Sequence, residues 1–398
     1  MPVTPAALAA ARDALAAAFD GGAPVELTAD GAVLPRPEAR DVARGGHPDA
    51  VAVVRTSGST GTPKQTVLTH AGLEASAAAT AARLGTEGAW LLAVGPQYVA
   101  GLAVLSRSVQ AGTAPVALAP GPFTPALFAD GTARLRAQAG DVTRIVSLVP
   151  TQLARLLDPA ADPVGLRALQ GFDAVLVGGA RVPDPLRAAA AEAGVPMHLT
   201  YGMSETCGGC VYDGVPLPGV RADLVSPAPD DADAVPRLRL SGPMAAAGYL
   251  DDPERTAAHF GGQGPARWYL TEDTGAVEDL PDGTQRVTVT GRVDDVVNTG
   301  GVKVSAAAVQ AILEADPAVA AAWVGGVPDP EWGQAVVAAV VPAGAPAAWD
   351  EAQCSRLSGV VRRGLGAPAV PKRWLALPAL PLLPNGKTDR RALLARLR

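Results

Sequence analysis

Between residues 51 and 200 the chain alternates short β-branched apolar runs with Ala-rich stretches of helical length, and this alternation constrains the fold more than any other feature. The spacing predicts strands over Val51 to Arg55, Trp90 to Val94, Pro115 to Leu118, Arg144 to Val149, Asp173 to Val177 and Pro196 to Thr200. Between them it predicts helices over His70 to Leu84, Leu102 to Ala111, Pro150 to Leu157 and Pro183 to Ala193. Strands joined by crossover helices pair in parallel, so the expected fold class is α/β, with ligands gathered at the carboxyl ends of the strands.

A chain of 398 residues exceeds what one core usually organises, which predicts two domains. Residues 1 to about 48 read as an Ala-rich helix and a Gly/Pro-punctuated connector. Asp213 to Ala234 is rich in Pro and Asp, and short strands over Arg237 to Ser241 and Gln285 to Thr290 suggest a smaller β region. Past Arg292 the character changes. Val302 to Leu313 and Glu351 to Leu365 read as helices, Ala321 to Val324 and Ala335 to Val341 as strands. The expected division is therefore a large unit over 1–293 and a small α+β unit over 294–398, meeting at Asp294.

A net charge of -6 with a pI near 5.3 disfavours general nucleic-acid binding, which needs a basic face to displace counterions from phosphates. Met1 to Phe19 carries Arg12 and Asp13 and lacks the pattern of a signal peptide. No run of roughly 20 uncharged apolar residues suggests a membrane span, so a cytoplasmic location is expected. Three cysteines imply no disulfide framework. Cys207 and Cys210 have the spacing of half a zinc site or a redox pair, but no second pair accompanies them, and small apolar residues beside a loop is the plainer reading.

Thr56-Ser57-Gly58-Ser59-Thr60-Gly61-Thr62-Pro63-Lys64 packs hydroxyls, glycines and a lysine directly after the first predicted strand. Glycines let backbone N–H groups approach an anion, and the hydroxyls and Lys64 add donors and charge, so the stretch reads as a phosphate loop joining strand to helix. The Walker pattern fails, because the glycines are too close and Pro63 separates Gly61 from the lysine. A solvated linker of the same composition is the alternative.

This stretch resembles the phosphate loop of the adenylate-forming enzymes, the superfamily of acyl-CoA synthetases, adenylation domains and luciferases. Further segments match that family in its own order: Gly178-Gly179-Ala180, Tyr201-Gly202-Met203-Ser204-Glu205-Thr206, Tyr269 to Gly275, Gly291 to Asp295, and Pro384-Asn385-Gly386-Lys387-Thr388-Asp389-Arg390. The resemblance implies ATP and CoA as co-substrates with Mg²⁺, a carboxylic acid joined to AMP as an acyl adenylate, and attack of a thiol on that adenylate. It also implies that the small C-terminal unit is a mobile lid.

Residue by residue, the resemblance implies that Thr56, Ser57, Gly58, Ser59, Thr60, Gly61 and Lys64 cradle the phosphates. It places Gly178, Gly179, Ala180, Tyr201 and Gly202 at the adenine, and Asp273 and Arg292 at the ribose or a phosphate. Ser204 would donate to the α-phosphate, Glu205 would hold the metal, and Lys387 would stabilise charge between carboxylate and α-phosphate. Asp294 corresponds to the hinge. Taken alone, Tyr201 could be core, Glu205 a helix-terminal charge, and Asp273 and Arg292 surface residues. Gly300 and Gly301 suit either a narrow pantetheine passage or an ordinary turn. Glu272 stands where the family usually has Gly.

Trp90 to Ala117, Val149 to Leu153 and Asn298 to Val304 resemble the compact o-succinylbenzoate-CoA ligases of menaquinone biosynthesis. Such an acid keeps a second carboxylate, so its pocket should supply a cation or several donors. Gln97, Tyr98, Arg107, Thr151 and Gln152 are the candidates. Other acyl-CoA ligases, a stand-alone adenylation domain serving a carrier protein, and a nucleotide-binding regulator stay open as readings, as does assembly into a homo-oligomer.

Overall fold

The computed structural model describes residues 3–56, 63–226, 235–343, 349–383 and 388–397. Its centre is a seven-stranded sheet in which Val116–Ala117, Ala89–Leu92, Arg144–Leu148, Ala174–Gly178 and Met197–Met203 run parallel. The two faces of this sheet are both covered over Val116–Ala117, Ala89–Leu92, Arg144–Leu148 and Ala174–Gly178, which is why those strands read as largely apolar runs. One face buries Leu91, Val146, Leu148, Val175 and Val177 against Phe128, Leu135 and Leu153 from flanking helices. The other buries Trp90, Leu92, Ile145 and Leu176 with Val104. The predicted helices His70–Leu84 and Pro150–Leu157 appear with those bounds, and the first is capped by Thr69 Oγ1 accepting from Gly72 N at 3.1 Å.

Not all pairing is parallel. Gly208–Tyr212 and Val215–Pro216 extend the central sheet antiparallel. A second, five-stranded sheet is mostly antiparallel, in the order Gly248–Tyr249, Lys64–Thr69, Ala50–Thr56, Val25–Leu27, Val33–Pro35. Here the structure corrects the strand-to-helix reading. The chain leaves Ala50–Thr56, returns as the antiparallel strand Lys64–Thr69, and only then enters the helix at His70. Thr66, Val67, Leu68 and Thr69 are buried, and β-branched side chains there pack well on a pleated surface. A four-stranded sheet around Arg237–Ser241 and the hairpin of Asp273–Asp279 with Gln285–Arg292 form the smaller β region.

The small C-terminal domain holds strands Val296–Thr299, Val302–Ser305, Val319–Asp329 and Gly333–Pro342, with Arg373–Ala376 parallel to the last. Val336, Ala338 and Val340 meet Val309, Leu313 and Val361 on one face, and Val337 and Ala339 meet Leu393 and Leu397 on the other. The expected helix over Val302 to Leu313 is a strand followed by a helix, Ala306–Glu314. Val302-Lys303-Val304-Ser305 pairs with Val296–Thr299, and Ser305 Oγ then accepts from Ala308 N at 3.2 Å to start the helix. The helix Pro125–Ala139 went unpredicted, because Gly131 and its scattered charges dilute the apolar pattern.

Candidate active site

Three of the expected segments converge at one end of the central sheet. Tyr201, Gly202 and Met203 lie within the strand Met197–Met203 rather than in a loop after it, and Ser204–Thr206 form one tight 3₁₀ turn that reverses the chain. The reversal brings backbones so close that a Cβ on Gly202 would sit 2.1 Å from Gly208 O, so only glycine fits there. Gly178 ends the neighbouring strand and pairs with Thr200, with Gly179 and Ala180 following it.

Glu205 projects from this turn and is 6 % exposed. Its backbone O accepts from Ala246 N at 2.9 Å, its Oε1 accepts from the Tyr249 hydroxyl at 2.8 Å, and Lys64 Nζ stands 3.9 Å from the same oxygen. Ser204 is buried beside it. Thr56 pairs with Lys64, the last pair of Ala50–Thr56 with Lys64–Thr69 before the connecting residues. Ser57, Gly58, Ser59, Thr60 and Gly61 of the expected cradle lie outside the described residues, as does Lys387. A hard divalent cation prefers carboxylate oxygen and commonly keeps water and substrate phosphates as its other ligands. Among the described residues no group of three or more His, Cys, Asp or Glu forms a ready cage. One buried carboxylate, already facing an ammonium, fits Mg²⁺ arriving with a polyphosphate.

Asp273 is 8 % exposed and lies at the start of its strand, directly across from Arg292. Its Oδ2 accepts from the Tyr201 hydroxyl at 2.6 Å and its Oδ1 from Arg292 Nη1 at 3.2 Å. Burial pushes the Asp273 carboxyl above the ordinary range, and the Tyr201 and Arg292 bonds only partly offset this. Burial, then the Asp273 charge, raises the Tyr201 phenol, which therefore stays a donor. Arg292 also grips Asp294 through Nε at 2.8 Å and Nη2 at 3.2 Å. Asp295 accepts from Arg390, and Leu382 and Thr388 pair across the segment that carries Lys387. The expected ribose, hinge and lysine segments are thus linked by ion pairs. Glu272 finds its own partner, Arg237 Nη1 at 2.8 Å, which accounts for a carboxylate at that position.

The expected acyl-side residues divide. Arg107 is 8 % exposed, not a surface residue, and its Nη2 donates to Thr80 Oγ1 at 3.0 Å while the guanidinium lies 5.0 Å from the Trp90 ring centre. Its Nε has no hydrogen-bond partner among the described residues, and a Cβ on Gly208, just past the Glu205 turn, would lie 3.9 Å from Nη2. Gln152 is committed to the backbone: its Oε1 accepts from Val149 N at 3.0 Å and its Nε2 donates to Ala93 O at 2.8 Å. Thr151 follows the helix start, and Gln97 and Tyr98 are half-buried at the mouth of the helix Val99–Gln110. Gly300 and Gly301 form a two-residue turn with φ of 58° and 79°, as the hairpin Val296–Thr299 to Val302–Ser305 requires. Cys207 and Cys210 are buried, and burial pushes both thiols up to about 12, so they act as packing.

Reading the sequence missed Tyr249, whose hydroxyl donates to Glu205, because a neutral aromatic in a Gly-Tyr-Leu run carries no chemical signature. It also missed the ion pair of Arg181, next to the Gly178-Gly179-Ala180 segment, with the buried Glu314 of the C-terminal domain.

Residues 7–250 match the model of the AMP-binding enzyme family and residues 308–387 that of the AMP-binding enzyme C-terminal domain. The chain is 43% identical, over 87% of its length and 85% of the relative's, to a probable 2-succinylbenzoate–CoA ligase of Mycobacterium tuberculosis. It is 32% identical to the 2-succinylbenzoate–CoA ligase of Geobacillus kaustophilus, over 83% of this chain and 66% of that one. Its fold superposes with a TM-score of 0.67 and 25% identity on the o-succinylbenzoate CoA synthetase of Bacillus subtilis in complex with the acyl-adenylate intermediate, covering 86% of this chain and 69% of the other. No helix among the described residues is long and apolar enough to cross a membrane.

Proposed function

The chain belongs to the family of AMP-binding enzymes, and from that premise we propose that it ligates o-succinylbenzoate to CoA through an acyl adenylate, releasing pyrophosphate and then AMP. A carboxylate is a poor electrophile because an oxide must leave. Attack of its oxygen on the α-phosphate of ATP expels pyrophosphate and gives a mixed anhydride whose leaving group is AMP. The CoA thiol then attacks the acyl carbon, and AMP departs with the bonding pair.

In this reading Lys64 and the Thr56–Gly61 segment hold the phosphates, Ser204 donates to the α-phosphate, and Asp273 accepts from the ribose. Glu205 would hold Mg²⁺, which when bound neutralises charge on the polyphosphate. Tyr201, Gly178, Gly179 and Ala180 border the adenine. Lys387 steadies the charge that develops between carboxylate and α-phosphate, and a lid over 294–398 turns about Asp294 to admit the thiol past Gly300 and Gly301. The Arg292 grip on Asp294 supports that division, since it ties the nucleotide side to the proposed hinge.

The observation that carries the acyl assignment is Arg107. A buried guanidinium is usually paired with a carboxylate, yet among the described residues this one donates to a hydroxyl and lies over an indole face, both uncharged. It lies beside Gly208, behind the Glu205 turn, where the unactivated carboxylate of a two-headed acid would supply the missing charge.

The test is turnover of o-succinylbenzoate, benzoate and fatty acids with ATP, Mg²⁺ and CoA, following AMP and thioester. The succinylbenzoate should be preferred, and Arg107→Met should raise its KM about 10–100-fold while leaving a monocarboxylate's nearly unchanged. Good turnover of benzoate or fatty acids without the succinylbenzoate would reject the assignment in favour of another acyl-CoA ligase. Refusal of free CoA would point instead to a carrier-protein partner.

A further inference from the structure

We infer that Tyr249 is a positioning residue that couples the phosphate hairpin to the metal-holding carboxylate, so that the site's affinity for a divalent cation depends on the Tyr249 hydroxyl. The inference rests on the reading of Glu205 as the Mg²⁺ carboxylate. Tyr249 is 1 % exposed and joins three pieces of the site at once. Its backbone lies in the strand Gly248–Tyr249, which pairs antiparallel with Lys64–Thr69, Tyr249 opposite Thr66, so it is fixed to the strand that Lys64 begins. Its hydroxyl donates to Glu205 Oε1 at 2.8 Å. Its ring carries Lys64 Nζ 5.3 Å from its centre, a cation–π distance.

The ring cannot turn away to release these contacts. It packs edge-on against Phe260 at 5.3 Å, and the Tyr269 hydroxyl stands 3.5 Å from its own. Glu205 therefore keeps one oxygen occupied by a neutral, immobile donor while the cation near it is a lysine on a flexible stem. A hydroxyl donor fixes the carboxylate's rotamer without neutralising it. The cationic partner, by contrast, can leave for a phosphate and be replaced by a metal ion. Loss of a partner that orients a ligating side chain in this way typically costs about 10–100-fold in metal affinity.

Tyr249→Phe removes the hydroxyl and keeps the ring, its packing and the Lys64 contact. The experiment measures binding of a non-hydrolysable ATP analogue by calorimetry across a Mg²⁺ titration, with neither acid nor CoA present, and follows the thermal midpoint of each variant. The half-saturating Mg²⁺ concentration should rise about 10–100-fold in Tyr249→Phe while binding without Mg²⁺ stays within about twofold of wild type. In a Glu205→Gln background the same substitution should leave the Mg²⁺ dependence unaltered, because the carboxylate it orients is gone. A normal Mg²⁺ dependence in Tyr249→Phe would overturn the inference and leave the Glu205 reading intact. A wild-type protein whose analogue binding ignores Mg²⁺ would overturn both. A fall in binding equally large with and without Mg²⁺ would show a packing role and likewise overturn it.

Discussion

The two ends of the site are held together differently. At the phosphate end, Lys64 stands 3.9 Å from Glu205 and the closer bond to that carboxylate comes from a neutral phenol. At the ribose end, Asp273 is gripped by Tyr201 at 2.6 Å and Arg292 at 3.2 Å, and Arg292 holds Asp294 through two further bonds. The first arrangement leaves the cation free to change partners. The second is a continuous chain of charge-assisted bonds from the central sheet to Asp294, and through Asp295 to Arg390, so it suits a part that transmits position rather than one that exchanges ligands.

The sharpest break of this contrast lies beyond the ribose end, at Lys387. Lys387→Ala should reduce adenylate formation by about 10²–10³-fold while thioester formation from supplied adenylate stays near wild type, measured by pyrophosphate release and by single-turnover transfer. Equal loss of both steps would mean that the lysine serves the whole protein and not one step. Next comes Asp273→Ala. It leaves the Tyr201 hydroxyl without its acceptor and Arg292 with Asp294 alone, so it should raise the KM for ATP about 10–100-fold and also lower the thermal midpoint.

Lys64→Ala tests the loose end. Its cost should be about tenfold in nucleotide binding with little change in thermal midpoint, because a pair at 3.9 Å beside a neutral donor contributes little to the fold. A midpoint loss as large as that of Asp273→Ala would erase the distinction. The smallest effect concerns Cys207 and Cys210 behind the turn, whose thiols are raised from 9.0 to about 12. The folded chain keeps these protons to higher pH than the unfolded one, so their share of stability is present below about pH 9 and is lost as pH climbs toward 12. Denaturant unfolding between pH 8 and about 10.5 should show that decline, and replacing both cysteines by alanine should flatten part of it. The buried Tyr201, Tyr249 and Tyr269 phenols, also raised, would account for the remainder.

Much of the parallel sheet was legible because four of its parallel strands are almost wholly buried and so announce themselves as apolar runs. The helix His70–Leu84 was legible from its Ala-rich stretch of helical length. The strand Lys64–Thr69 was not, since residues with a lysine, a glutamine and two threonines look like loop until the partner strand is known. Val302–Ser305 was hidden in the same way, because its alternation is short and runs directly into a helical pattern.

By itself the sequence determined the alternation of most parallel strands with their crossover helices, because burial and backbone preference act locally and leave periodic traces. It also marked Glu205, Asp273, Arg292 and Lys64 as chemically suited to a nucleotide. Only the tertiary structure decided that Tyr249 bonds Glu205 across 44 residues, that Tyr201 bonds Asp273 across 72, and that Arg107 is buried against neutral partners. Such contacts depend on where separate strands come to rest in space, and a hydroxyl's or a guanidinium's partner leaves no trace in the residues beside it.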